Sequence, residues 1–457
     1  MSIAAGFIAG LLFIGSAVML ATPYAAFAPG LVLALAGFAV LWGRPVLGVI
    51  GLAALVSLEG AFPGQPLLSG AKLIGGASLA IVAVQLVLRK IPADRLGGNI
   101  WRPLLLFLAV YVTSFAASID FGASSIHARQ LVVGMVLLVV TLATRDRLDF
   151  SLLAKAIVVP TTATCALTLA VFARNVDGRA VGLMSDPNYF ALLLAFALPL
   201  AFMLAIDERR LVPRAFWLGS IGLMAAGTVA SDSRSGFLVM MVAVGALAWI
   251  YRGFIGRLRA RDFGWLALAV AIILPLAAAL VPASYVERIQ SIALMESGVR
   301  NKDTSLGRRM SYVLVGVEAI KSDPVIGSGP GTYAGHYGRS SYATAFSFDP
   351  DEPDLFRRAH NTYLELLVDT GVLGGLCFVA LVLCGLRNFW RAGRIARERG
   401  DDRLMRWAVH FGASYLSLCA FLVFLSAPNH KYLWMSLALS VILLERARRA
   451  PVREPGT

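Results

Sequence analysis

Charged residues are scarce in this sequence. Only 15% of its 457 residues are charged and 58% are hydrophobic, whereas a soluble globular protein has about 25% charged and about 45–50% apolar residues. This composition excludes a soluble enzyme. The apolar residues form long runs, several of which approach the roughly 20 residues that a helix needs to cross a bilayer. The sequence therefore predicts a polytopic membrane protein.

Metal-binding patterns are also missing. No two of the four cysteines form a Cys-x-x-Cys pair, so a zinc site is not expected. The acidic stretch around Asp349 and Asp351 is too loose to predict a magnesium site. We therefore expect no metal and no cofactor. All the cysteines lie in apolar runs, where small packing residues are the default interpretation; they are Cys165, Cys377, Cys384 and Cys419.

Fourteen apolar runs predict transmembrane helices. The runs are continuous rather than alternating, and lipid cannot satisfy free backbone groups, so helices are expected. The predicted fold class is all-α, a transmembrane bundle of about 12–14 helices with one long outer loop that carries short helices. The runs lie at residues 3–21, 24–41, 45–60, 70–88, 101–118, 128–143, 152–173, 189–206, 214–230, 235–251, 264–282, 362–386, 407–427 and 431–446.

The basic residues predict the orientation in the membrane. A net charge of +14 could suggest nucleic acid as a partner, but the sequence has no nucleic-acid-binding motif. Membrane proteins concentrate Lys and Arg in cytoplasmic loops. With the N-terminus inside, the inner segments hold 26 of the 41 basic residues and the short outer segments hold six. Both ends are therefore expected in the cytoplasm.

This topology divides the chain into four parts. Residues 1–282 are expected to hold the first eleven helices and residues 283–359 to form an ordered outer loop domain. The C-terminal helices and the cytoplasmic tail are expected at 360–446 and 447–457. Within the loop domain, Leu306–Ser322 has apolar residues at helical spacing, namely Met310, Val313, Leu314 and Val317. These residues predict an amphipathic helix, which Asp323-Pro324 ends.

Four polar clusters fall on the outer side under this topology. Polar groups at membrane depth are costly and usually face a cavity. Arginines in such a place suit a phosphate or diphosphate, which guanidinium groups bind bidentately. A neighbouring histidine suits removal of a proton from a hydroxyl near neutral pH. The clusters are Asp186-Pro-Asn188, Ser231-Asp-Ser-Arg234, Arg308-Arg309 and Arg357-Arg358-Ala-His360-Asn361.

Most of these residues also have a structural interpretation. Asp186 and Asn188 can cap a helix, because Asp and Asn are preferred at that position. Arg234 can be an interfacial residue that reaches towards water. Arg308 and Arg309 can belong to one solvated helix face.

The residues that follow His360 are similarly ambiguous. Thr362-x-x-Glu365 has the pattern of a capping box, which favours a structural role for Glu365. Asp369 lies one turn deeper and is harder to explain by capping. Pairing with an arginine is one possibility for it.

The segment HNTYLELLVDTGVLG at 360–374 carries a family resemblance. A His-Asn pair is followed after nine residues by Gly371 and then by Gly374. Other segments agree in order: SDPNYFA at 185–191, SRSGFL at 233–238, GRRMSYVLVGVEAI at 307–320 and DPVIGSGPGTY at 323–333. Together they resemble the O-antigen ligase and polysaccharide polymerase superfamily of bacterial inner membranes. The tryptophan that this family has shortly after its loop arginine is absent, and Tyr312 or Val313 stands near its place.

The resemblance implies an integral-membrane glycosyltransferase that needs no metal. Its donor would be a glycan on undecaprenyl diphosphate. Its acceptor would be a sugar hydroxyl, on lipid A-core in a ligase or on a second lipid-linked glycan in a polymerase. We favour the ligase slightly and keep the polymerase as the alternative. The multi-pass protein is then expected in the inner membrane, with its active site on the periplasmic side.

The resemblance also assigns roles to residues. His360 would be the base that activates the acceptor hydroxyl, and Arg234 and Arg309 would hold the diphosphate. The remaining candidates for substrate binding are Arg308, Asn361, Asp186, Asn188, Arg358 and Asp369. Because cations can stabilise a leaving diphosphate without a metal, a single displacement with inversion at the anomeric carbon is our hypothesis.

A function of another class is a transporter or flippase of lipid-linked glycans. Such a protein would need polar groups along the whole path across the membrane. The unusual charges of this chain crowd on one side, which argues against transport.

Overall fold

A computed structural model describes residues 28–59, 70–171, 178–184, 186–255, 304–346 and 355–449. The regular structure in these ranges is helical without a strand, which confirms the all-α fold class. The helices are α1 (Ala28–Gly43), α2 (Val46–Val56), α3 (Gly70–Val87), α4 (Trp101–Ala116), α5 (Phe121–Ala143), α6 (Phe150–Val171), α7 (Pro187–Asp207), α8 (Leu211–Ala230), α9 (Arg234–Ile250), α10 (Arg252–Ile255), α11 (Thr304–Ser322), α12 (Tyr333–Gly338), α13 (Ser341–Ala345), α14 (Thr362–Glu398), α15 (Asp402–Phe421) and α16 (Lys431–Arg449).

The helices make this chain a multi-pass membrane protein. Among the described residues, α3, α5, α6, α7 and α14 are each long and apolar enough to cross a membrane. The bent pair of α1 and α2, which meet at 119°, can supply a sixth span. The apolar helices α4 and α9 are shorter. The predicted runs at 3–21 and 264–282 lie outside the described residues, so the total of 12–14 spans stays a prediction.

Helix α7 lies at the centre of the bundle. Of its most apolar stretch, 83% is buried, as expected for a helix that is hydrophobic on all sides. It packs against α6, α8, α9 and α15, while α14 packs against α4, α15 and α16. The rings of Phe196 and Tyr432 stack 4.4 Å apart and join α7 to α16. The starts of α7 and α14 are thereby fixed relative to each other.

The loop domain forms a second, smaller apolar cluster. Helix α11 confirms the predicted helix, and the structure shows which of its faces is buried. Met310, Val313, Leu314 and Val317 are all at least 43% exposed, and the buried face carries Tyr312, Val315 and Ala319 instead. The reason is a close approach at Gly316, where an added Cβ would lie 2.8 Å from Leu364 of α14. The side of α11 with the smallest residue therefore packs against α14.

Helix α14 changes direction at Gly371, whose φ of 67° and ψ of −178° are not helical. The break frees backbone groups that α14 itself cannot satisfy. The Val368 and Asp369 carbonyls accept hydrogen bonds from Ser328 N–H at 3.1 Å and Gly329 N–H at 2.9 Å, and Val372 N–H donates to Pro324 at 2.8 Å. The loop at 324–329 thus replaces the missing helical bonds, which membrane surroundings could not supply.

Two glycines make this close backbone approach possible. Gly327 has φ of 70°, and an added Cβ there would collide with the Gly371 amide. A Cβ on Gly371 would collide with the Val325 carbonyl. Both the left-handed conformation and the contact therefore require glycine. We call this junction of residues 324–329 with the Gly371 break the glycine junction.

Substitution of Gly371 by alanine tests the glycine junction. We expect Gly371→Ala to lower the free energy of unfolding by more than about 1 kcal/mol, because alanine has no room there and disfavours positive φ. The thermal unfolding midpoint of purified protein in detergent measures this change. Gly219→Ala in α8 is the control, since nothing lies within 4 Å of an added Cβ there. Equal midpoints for both variants would contradict the account.

Candidate active site

His360 stands in an unusual place just before α14. It has a φ of 48°, and among the described residues only Arg89 and Asp232 share a positive φ without being glycine. Its ring stacks on Tyr312 of α11, with centroids 5.7 Å apart and planes at 26°. Strained backbone of this kind persists only where the surroundings fix it, and it is frequent at functional sites. Here the stacking on Tyr312 fixes the ring.

The surroundings keep the imidazole of His360 neutral. Burial lowers its pKa below the usual 6.5, and the positive charge of Arg309 lowers it further. Asp186, Glu365 and Arg358 also act on this pKa, the two carboxylates by raising it. A neutral imidazole at pH 7 can accept a proton, which is the state that a general base needs.

Two arginines from separate elements lie close to each other. Burial and then the positive charge of Arg234 lower the pKa of Arg309. Arg309 lies on α11 and Arg234 at the first position of α9. An arginine remains protonated in a protein, so the two like charges repel. Such an arrangement is favourable once a multiply charged anion binds to both guanidinium groups.

Capping interactions hold Arg234 in this position. Ser233 caps α9 by accepting from Gly236 N–H at 3.0 Å, and it donates to the Asn188 side chain at 2.7 Å. Asp186 caps α7 by accepting from Asn188 N–H and Tyr189 N–H. The capping interpretation therefore holds for Asp186. Asn188 instead joins the start of α7 to the start of α9.

The start of α14 differs from the predicted capping box. Asn361, and not Thr362, is the capping residue, because its side chain accepts from Tyr363 N–H and Leu364 N–H. Glu365 does not reach back to the helix start, since its Oε1 accepts two hydrogen bonds from Arg358. The capping-box prediction was wrong because Asn361, a strong capping residue itself, stands one position earlier.

Asp369 holds the glycine-rich loop. Its carboxylate accepts from Gly331 N–H at 2.7 Å and Tyr333 N–H at 3.3 Å. The side chain is buried and supports the start of α12. Backbone amides thus take the place of the arginine that was considered as its partner. A contact of Asp369 with substrate stays a prediction, as do those of Arg308, Asn361 and Arg358.

The sequence analysis did not predict the contacts that three residues make at this site. Tyr312 stacks on His360 and fills the position near which an aromatic residue was missing from the pattern. Arg357 is buried beside Tyr312, and its positive charge opposes the rise that burial causes in the pKa of the Tyr312 hydroxyl. Arg179 donates to the carbonyls of Ser231 and Asp232, in the turn that leads to Arg234. Their separation in sequence hid these contacts.

The site lies at one end of the bundle, and basic residues crowd the other end. Asp207, at the far end of α7 from Asp186, pairs with Arg406 at 2.8 Å. Arg145 pairs with Glu445 at 2.7 Å, near the end of α16. The positive-inside rule predicts the cytoplasm for that end, and the orientation in the membrane stays a prediction.

The comparison with protein families agrees with this geometry. Residues 219–379 match a family described as O-antigen ligase. Over these residues the chain is similar to that family. The sequence resemblance is thereby confirmed, and the matched region contains Arg234, Arg309 and His360. None of the curated proteins compared with the chain matches it.

The arrangement of a neutral base beside two cations suits displacement of a diphosphate. A neutral imidazole can take a hydroxyl proton, and neighbouring cations can stabilise the negative charge that develops on phosphate oxygens. For such a displacement, the base and the cations must be close enough to contact the reacting groups at the same time. Arg309 supplies the link, because its charge acts on His360 and Arg234 acts on it.

Inorganic pyrophosphate tests the paired arginines without catalysis. We expect it to raise the thermal unfolding midpoint of the wild type, because binding to the folded state adds about 1.4 kcal/mol at ten times the Kd. Arg309→Gln should abolish this increase. Arg394→Gln is the control, since Arg394 is exposed and pairs with Glu398 on α14. An equal increase in Arg309→Gln would show that pyrophosphate binds elsewhere.

Proposed function

We propose that this protein transfers a glycan from an undecaprenyl-diphosphate-linked donor to a sugar hydroxyl at the periplasmic face of the bacterial inner membrane. The favoured acceptor is lipid A-core, as in an O-antigen ligase. The observation that carries the proposal is the meeting of α11 with two helix starts. His360, just before α14, stacks on Tyr312 of α11, and the charge of Arg234, at the start of α9, acts on Arg309 of α11. The family match to O-antigen ligases supports it independently.

In the proposed reaction, His360 takes the proton from the acceptor hydroxyl. The hydroxyl oxygen then attacks the anomeric carbon and forms the new glycosidic bond. The bond from this carbon to the phosphate oxygen breaks, and its electron pair leaves with the undecaprenyl diphosphate. Arg309 and Arg234 stabilise the negative charge of that leaving group. One displacement of this kind inverts the anomeric centre.

The cations of the protein can perform the role that a metal ion has in other transferases. Within the described ranges, no group of three or more His, Cys, Asp or Glu side chains is arranged to hold a metal ion. Independence from metal stays a prediction, for which retained activity in EDTA is the expected result.

The charge distribution also bears on the transporter alternative. Candidate substrate residues gather at one end of α7, and the ion pairs at its other end connect helices to each other. A path for a charged headgroup across the membrane would need polar groups in between, yet α7 is apolar and buried along its length. The transferase is therefore the favoured function.

Reconstituted transfer tests the proposal. Purified protein is given a lipid-diphosphate-linked glycan together with either lipid A-core or a second copy of the donor. We expect a glycan on lipid A-core, and elongated lipid-linked glycan would identify a polymerase instead. His360→Ala should lower the rate by about 10²–10⁴-fold, the usual contribution of a general base.

His336→Ala is the matched histidine control for this assay. His336 lies in the same loop domain, where it contacts Ser328 at 2.8 Å, and the charges that act on its pKa are Arg339 and Asp323 rather than the arginine pair. It should retain most of the activity. Normal transfer by His360→Ala would remove His360 as the base, and movement of the donor across vesicles without transfer would favour the transporter.

A further inference from the structure

The ion pair between Arg358 and Glu365 closes the backbone around His360. Glu365 Oε1 accepts from Arg358 Nε at 3.0 Å and from Arg358 Nη2 at 2.5 Å. Between these two residues the chain passes through His360 in its left-handed conformation and then through the capping residue Asn361. The ion pair therefore holds together both ends of the short segment that carries the proposed base.

Glu365 is placed to make this contact rigid. Its side chain is only 3% exposed, and its backbone N–H donates to the Asn361 carbonyl at 3.0 Å in the first turn of α14. A buried carboxylate is costly unless it is paired and hydrogen bonded. Arg358 satisfies one of its oxygens, and the other oxygen requires a further partner.

Two buried atoms beside this ion pair are complementary. Within the described part of the chain, Glu365 Oε2 and His360 Nδ1 both lack a hydrogen-bond partner. A carboxylate oxygen can only accept a hydrogen bond, and a neutral imidazole can donate from Nδ1. Catalytic hydrogen bonds are often long or poorly aligned before substrate binds and tighten in the complex.

We infer that Glu365 is a positioning residue for His360. Its Oε1 holds Arg358, and its Oε2 accepts the hydrogen bond from His360 Nδ1–H when the substrates are bound. This bond fixes the tautomer, so that the Nε2 lone pair faces the acceptor hydroxyl. After proton transfer both imidazole nitrogens carry a proton, and the carboxylate stabilises the resulting positive charge.

The charges around His360 predict the direction in which its pKa changes when one of them is removed. Arg309 and the stacked ring of Tyr312 face the imidazole from α11. Asp186 acts on it from the start of α7, and Arg358 and Glu365 act on it from its own segment and the first turn of α14. The carboxylate of Glu365 raises the pKa of His360 and Arg358 lowers it. Loss of the Glu365 charge therefore lowers this pKa further and makes His360 a weaker base.

The inference rests on the proposed function, and the pH dependence of transfer tests it. Glu365→Gln keeps the side-chain volume and removes the charge. We expect the acidic limb of its kcat profile to move to lower pH, and kcat on the plateau to fall at least about tenfold. The donor KM should change little, since the diphosphate arginines remain. Glu365→Asp, which keeps the charge, should restore the position of the limb.

A matched control separates this effect from general loss of a carboxylate. Glu318→Gln removes an exposed glutamate of α11 that pairs with Lys321, and its profile should equal that of the wild type. An unchanged acidic limb in Glu365→Gln, with thermal stability close to the wild type, would overturn the inference. In that case Glu365 only holds the helix start.

Two further variants keep the test decisive. If Glu365→Gln does not fold, Arg358→Gln replaces it, and its acidic limb should move to higher pH because a cation beside His360 is lost; a limb that does not move up would overturn the inference. Normal transfer by His360→Ala would instead reject the proposed base itself. An inactive His360→Ala together with an unmoved limb in Glu365→Gln rejects only the role of Glu365.

Discussion

The break of α14 at Gly371 is the constraint on which the rest of this structure depends. A helix that changes direction at membrane depth leaves backbone carbonyls and amides that lipid cannot satisfy. The loop at 324–329 supplies the partners, and only glycine fits at the contact between Gly327 and Gly371. The loop also follows α11 directly, so the same contact fixes where Arg309 lies. The backbone hydrogen bonds at the glycine junction thus set the distance between Arg309 and His360.

The fixed positions of these helices explain how the site can hold like charges close together. Arg309 and Arg234 repel each other, and burial adds to the cost. The fold keeps them together because α7, α9, α11 and α14 are fixed by caps and by the glycine junction rather than by the arginines themselves. The repulsion between the two arginines lowers the stability of the folded protein. An anion that binds both guanidinium groups relieves this repulsion and therefore binds more tightly. Burial beside the same charges keeps the pKa of His360 low, so one arrangement prepares both the proposed base and the proposed cation site.

Much of this organisation was predictable from the sequence. Apolar runs gave the helices, and the His-Asn pair with Gly371 and Gly374 pointed to the superfamily. Contacts between distant segments were not predictable. Periodicity alone could not show that α11 packs with Tyr312 rather than with Met310, because the close approach at Gly316 decides it. The capping pattern at Thr362 and Glu365 likewise concealed the pair that Glu365 forms with Arg358, which depends on the left-handed turn at His360.

The most direct test of the central claim is an experimental structure with a lipid diphosphate bound. The account predicts that the diphosphate contacts the guanidinium groups of both Arg234 and Arg309, and that its sugar end lies beside the imidazole of His360. The bound molecule should also enter from the membrane end opposite the ion pair of Arg406 and Asp207. A diphosphate held away from these arginines, or at the end that carries Arg406, would contradict the account.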